Sequence, residues 1–114
     1  MEHGLPKGTL RNVVKRVFDD TASQLRLMRR VVPEVTYKRR RERLSPPESE
    51  RTERLARVIA LAEHVWDDRD EARRFLTSPH AEMEGRTPLD AAMTELGARQ
   101  AEDIMMRLLY GLPV

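Results

Sequence analysis

Residues 45–66 read SPPESERTERLARVIALAEHVW, and this stretch decides the fold class. Ser45 can accept a hydrogen bond from the backbone N–H three residues on, while Glu48 reaches back to the Ser45 N–H. Pro46 takes the first helical position, where a missing N–H costs nothing. This capping box predicts a helix over 46–66, the longest in the chain. Leu55, Val58, Ile59, Ala62, Val65 and Trp66 keep helical spacing and are expected to form the middle of the core. Glu50, Arg51, Glu53, Arg54 and Arg57 fall on the other face, where i,i+4 pairing is expected.

Before this helix the segments are shorter. Thr9 suits an N-cap, and Leu10, Val13, Val14, Val17 and Phe18 follow on one helical stripe, with Asp19, Asp20 and Thr21 ending that helix. A second helix is predicted over 22–30, with Leu25 and Met28 inward and Arg26, Arg29 and Arg30 outward. Pro33 suits the first turn of a third, predicted over 34–43. The third carries the densest charge in the protein, Lys38, Arg39, Arg40, Arg41, Glu42 and Arg43, with Val35 and Tyr37 inward or partner-facing. Three short helices, the second and third joined by a tight turn, meet the requirement for a helix-turn-helix. In that motif the last helix enters the major groove and its basic side chains supply the electrostatic part of affinity. A solvated basic helix explains the run equally well.

After the long helix, Asp67 or Asp68 caps a short helix over 69–76 that buries Ala72, Phe75 and Leu76. Ser78 and Pro79 stop it, and 80–86 is a loop. Thr87, Pro88, Leu89 and Asp90 make another cap-plus-proline start, opening a turn or two of helix to about Met93, and 94–97 is a turn. A last helix over 98–110 points Ala101, Ile104, Met105 and Leu108 inward, and Gly111 ends it in the left-handed conformation. Leu108, Leu109, Tyr110, Leu112, Pro113 and Val114 are many apolar groups for a chain end, which normally becomes polar. Either this tail folds back on the core or it docks into a partner.

The 114 residues suffice for one compact domain and little more. Charged residues make up 35% and aromatics 4%, so aliphatic side chains and Met must fill the core. The absence of cysteine excludes disulfides and thiolate-bound metal. The net charge of +2 is unevenly spread: 1–51 carry +6 and 52–114 carry −4, either two partner surfaces or two solvated faces. The first residues are too polar for a signal peptide, and no apolar run approaches the ~20 residues that cross a bilayer, so the cytoplasm is expected and a membrane is not. His3, His64 and His80 lack partners at metal-ligand spacing, and the few glycines form no phosphate-binding loop. No catalytic residue, metal or cofactor is indicated; the expectation is a binding protein, not an enzyme.

Residues 36–114 resemble the antitoxin family called Xre/MbcA/ParS. The resemblance rests on Thr36-Tyr37-Lys38-Arg39-Arg40, Leu44-Ser45-Pro46-Pro47-Glu48-Ser49-Glu50-Arg51, Arg54-Leu55-Ala56-Arg57 and Ala60-Leu61-Ala62-Glu63. It continues in Glu71-Ala72-Arg73-Arg74-Phe75-Leu76, Gly85-Arg86-Thr87-Pro88-Leu89-Asp90, Thr94-Glu95, Gly97-Ala98 and Tyr110-Gly111. It implies an all-α fold: Xre-type helix-turn-helix-like helices over 1–44 for DNA binding and dimerisation, then a small helical toxin-binding domain over 45–114. It also implies an antitoxin whose partner is a RES-domain toxin that consumes NAD or uses it to ADP-ribosylate a target. The C-terminal end would block the toxin's NAD cleft, and the chain, a homodimer within a toxin–antitoxin hetero-oligomer, would repress its own operon by binding operator DNA. Carried onto this chain, toxin binding falls to Arg107, Leu108, Tyr110, Gly111, Leu112, Pro113 and Val114. DNA binding falls to Lys38, Arg39, Arg40, Arg41 and Arg43. One departure stands out: the family's turn usually has Gly, and its recognition helix a Ser cap, where this chain has Val31 and Pro33. Valine tolerates a left-handed turn poorly, so the turn must differ. Residues alone also admit a helix-turn-helix transcriptional regulator with no toxin partner.

Overall fold

The fold, a computed structural model, describes residues 4–111, and these are all helical apart from turns and one isolated antiparallel bridge between Pro6 and Arg43. In order come α1 (Gly8–Lys15), α2 (Thr21–Val31), α3 (Glu34–Arg39), α4 (Pro46–Trp66), α5 (Arg69–Thr77), a 3₁₀ turn (Ala81–Met83), α6 (Pro88–Ala91) and α7 (Glu95–Leu109). Packing divides the chain into two units, one ending at Glu53 and the other beginning at Arg54.

In the first unit α1 packs on α2. Leu10, Val13, Val14 and Val17 are buried as their spacing predicts, while Phe18 is half-buried. Thr9 does not cap α1: the helix begins two residues earlier than that cap would place it, at Gly8, behind a Lys7 already in helical conformation. The cap of α2 is Asp20, whose carboxylate accepts from the Ser23 N–H at 2.8 Å; the hydrogen bonds from Ser23 hold that carboxyl below its ordinary value. Leu27 rather than Leu25 is the fully buried leucine of α2, beside Met28 and Val31. The turn to α3 uses no left-handed residue: Val32 is extended (φ −146°) and Pro33 follows at φ −57°. Tyr37 is buried, and Val35 is 62% exposed.

Helix α3 ends at Arg39, four residues short of the expectation, and a backbone clasp explains the shortening. Lys7 N–H donates to Glu42 O (2.8 Å) and Leu44 N–H to Leu5 O (2.9 Å), so residues 42–44 run extended against 5–7 instead of continuing the helix. The capping box of α4 forms as expected: Ser45 N–H donates to Glu48 Oε1 (2.8 Å) and Glu48 N–H to Ser45 Oγ (3.3 Å). Arg51 leaves the expected i,i+4 pattern and donates to Val31 O at 2.8 Å, closing the C-terminal end of α2.

In the second unit Leu55, Val58, Ile59 and Ala62 of α4 are fully buried, while Val65 and Trp66 are half-buried, Trp66 lying 4.6 Å from the Phe75 ring. Asp67 takes a left-handed conformation (φ 48°) past the end of α4, and Asp68 caps α5 through the Glu71 N–H (2.9 Å). Helix α6 packs on α5 and α7, and α7 also meets the 3₁₀ turn, whose Met83 is fully buried. Thr87 caps α6 and Thr94 caps α7, each through the N–H three residues on (3.1 and 3.0 Å). The last helix therefore starts at Glu95, and 94–97 is its first turn, not a separate one. Gly97 permits this: a Cβ there would stand 2.0 Å from Ala91 O, so only glycine lets the two backbones meet. Arg54 donates to Met93 O (3.0 Å), closing the end of α6 as Arg51 closes α2.

Candidate functional site

The inward stripe of α7 is Gly97, Ala98, Ala101, Ile104 and Met105, all buried. Leu108 lies four residues past Ile104 and seven past Ala101, on the same stripe. The sequence places it inward; the structure leaves it 42% exposed. The inward reading does not hold, because the packed interior has ended by the last turn of the helix. Leu109 (37% exposed), Met106 (37%) and Tyr110 (68%) are exposed on the same last turns, so one helix end presents four large apolar side chains. An isolated exposed leucine is ordinary; a cluster confined to one tip is not. Gly111 stops the helix at φ 69°, a conformation that favours glycine, as expected.

Arg107, grouped with this tip on the sequence, is committed within its own unit. Its Nη2 donates to Glu82 Oε1 at 2.9 Å and its Nε lies 3.2 Å from Asp103 Oδ2. Glu82 holds the guanidinium even further above its ordinary value. The pair ties the last turn of α7 to the 3₁₀ turn, so Arg107 braces the tip. Of the residues singled out for partner binding, Leu108, Tyr110 and Gly111 share this exposed end. Leu112, Pro113 and Val114 lie outside the described residues. Met106 and Leu109 were not singled out; Leu109 was signalled by the apolar run 108–110, whereas Met106 faces away from the buried stripe.

The basic run separates into two kinds of residue. Lys38, Arg39 and Arg41 are exposed, Lys38 reaching only a 3.7 Å ion pair with Glu34. Arg40 makes a two-pronged contact with the Glu48 carboxylate (3.0 and 2.9 Å), and Arg43 Nη1 donates to Gly4 O at 3.0 Å. Glu48 is only 4% exposed, and the Arg40 guanidinium, with Ser45, keeps its carboxyl below the usual value despite burial. Arg40 and Arg43 are thus held by the fold. They lie beyond the end of α3, and the recognition helix expected over 34–43 does not reach them.

Among the described residues no group of three His, Cys, Asp or Glu side chains could hold a metal ion, and no helix is long and apolar enough to cross a membrane. His64 is exposed, and His80 Nδ1 accepts from the Glu82 N–H at 3.2 Å, a turn contact; His3 lies outside the described residues. The arrangement offers binding surfaces: an apolar helix tip and a short, exposed basic helix.

Residues 61–111 match the family described as the antitoxin Xre/MbcA/ParS C-terminal toxin-binding domain. The match covers the tip of α7, the 3₁₀ turn and α5 to α7. A protein of Pseudomonas putida named Antitoxin Xre is 33% identical over 84 residues, 71% of this chain and 53% of that protein. The chain therefore spans about half the length of this curated relative.

Proposed function

We propose, because residues 61–111 match the Xre/MbcA/ParS C-terminal toxin-binding domain, that this protein is the antitoxin of a type II toxin–antitoxin pair. Its partner is a RES-domain toxin that degrades NAD or transfers ADP-ribose from it. The exposed end of α7, with the residues that follow, fills the toxin's NAD cleft and excludes the dinucleotide. Occlusion of this kind needs no chemistry from the antitoxin. It needs apolar area that the fold itself does not consume, held rigidly so that little freedom is lost on docking. The observation that carries the proposal is the exposure of Leu108 at the end of an otherwise buried stripe, within a segment matching a toxin-binding family.

Division of labour follows the sequence: toxin binding over 45–114, dimerisation and DNA contact over 1–44. Operator binding and autorepression are supported by the exposed Lys38, Arg39 and Arg41, and the same residues serve a regulator without a toxin. Two measurements separate these. Co-purification from the source cell, followed by an NAD-consumption assay on whatever is captured, should yield an activity that the full chain suppresses. Capture of no NAD-consuming protein, together with salt-dependent duplex binding that disappears when Lys38, Arg39 and Arg41 become Ala, favours the regulator alone.

A further inference from the structure

The first unit contains a groove of about 190 Å³ that shares only Lys38 with the residues proposed to contact DNA and none with those proposed to bind a toxin. Its floor is apolar: Leu25, Met28, Val32 and the Tyr37 ring. Its rim carries four cations, Lys7, Arg11, Arg29 and Lys38, against a single carboxylate, Glu34. That carboxylate is already engaged, 3.4 Å from Arg29 and 3.7 Å from Lys38. Lys7 lies 4.5 Å over the Tyr37 ring and donates to Arg40 O at 3.0 Å, which fixes one wall. Arg11 is exposed and has no ion pair among the described residues.

We propose that this groove receives one large apolar side chain from an acidic segment of a partner protein, whose flanking carboxylates meet the basic rim. Size and charge select this occupant. Pockets for whole small molecules run from about 300 to 1,000 Å³, and this one is smaller, nearer to the socket of a single anchoring side chain. Phosphates of a nucleic acid are met by cations and polar groups and have no use for an apolar floor. The cations dominate the rim, so a basic or neutral segment would leave them uncompensated.

The test uses the full chain and a labelled synthetic peptide with one phenylalanine between aspartates and glutamates, followed by fluorescence anisotropy at about 0.15 M salt. Saturable binding is expected. Replacing the phenylalanine by alanine should weaken it about tenfold or more, and so should Arg11→Glu, an exposed change, or Leu25→Asp, each checked by circular dichroism for an unchanged fold. None of these residues belongs to the tip of α7 or to the exposed basic set, so the outcome is independent of the toxin and DNA proposals. Absence of saturable binding, equal affinity for the alanine peptide, or affinity unmoved by both variants overturns the proposal. Displacement of the peptide by duplex DNA as readily as by unlabelled peptide overturns it too, marking the surface as a plain polyanion face.

Discussion

The end of α3 and the end of α7 carry the two features that stand out in the sequence, and the fold treats them oppositely. At the end of α3 a dense basic run is partly consumed: Arg40 is spent on Glu48 and Arg43 on the Gly4 carbonyl. At the end of α7 an apolar run is left over: Met106, Leu108, Leu109 and Tyr110 remain exposed. Arginine offers five N–H donors and readily satisfies carbonyls and carboxylates near turns, so a charge run beside a helix end tends to be drawn into local structure. Apolar side chains have only burial to offer, and once the core has ended no described residue covers these. An unspent apolar tip is therefore the more informative functional signal of the two.

The largest effect tests that inference directly. Deleting residues 110–114 should abolish toxin neutralisation in co-expression while the unfolding midpoint stays within a few degrees of the parent, because Tyr110 is 68% exposed and Gly111 is exposed too. Full protection by the truncated chain refutes occlusion by this end. On the other side, Arg40→Met should clearly lower the urea unfolding midpoint. It strands the Glu48 carboxylate, although solvent around the partly exposed guanidinium reduces the penalty below that of a fully buried pair. Arg41→Ala should stay within about 0.5 kcal/mol of the parent. If the two substitutions cost the same, Arg40 is not spent on the fold and the contrast between the helix ends breaks.

Leu108→Asp sharpens the comparison at a single residue. Stability should fall by less than about 1 kcal/mol, since the side chain is already half in water, while affinity for the toxin drops by about 2 kcal/mol, some thirtyfold. Titration calorimetry with the isolated complex partner gives the second number. A large stability loss with unchanged affinity would instead place Leu108 in the interior.

What could be read from the sequence was what is decided locally. The Ser45–Glu48 box, the Asp68 and Thr87 caps and the Gly111 stop depend on residues three or four apart, and the structure has each of them. Apart from the starts of α1 and α7, the misses involve partners distant in sequence. Helix α3 stops early because residues 5–7 pair with 42–44. Arg51 and Arg54, read as salt-bridging surface residues, close the ends of α2 and α6 across 20 and 39 positions. Met83, in a stretch read as a loop, is fully buried under α7. Gly97, read as part of a turn, is a crossing point whose need appears only when Ala91 lies against it. For the candidate site, periodicity put Leu108 in line with the buried stripe but could not say that the core ends before it, so the inward reading failed.

A small effect concerns Glu48, the buried carboxylate that makes the basic run structural. Glu48 has a carboxyl value below its ordinary 4.5 in the folded chain, chiefly through the Arg40 hydrogen bonds. A carboxyl depressed by folding is harder to protonate in the native state than in the unfolded one. Its contribution is therefore complete above the unfolded value and is lost as pH falls through the folded value. Glu48→Gln should lower stability by roughly 1 kcal/mol at neutral pH. The gap between parent and variant should then close as the solution is acidified below about 4.5, measured by urea midpoints at several pH values. The tip of α7 offers a control, because Met106, Leu108 and Leu109 have no proton to exchange: Leu108→Ala should shift stability by the same amount at every pH in the series. Parallel curves for Glu48→Gln, or converging curves for Leu108→Ala, would show that charge is not what distinguishes the two ends.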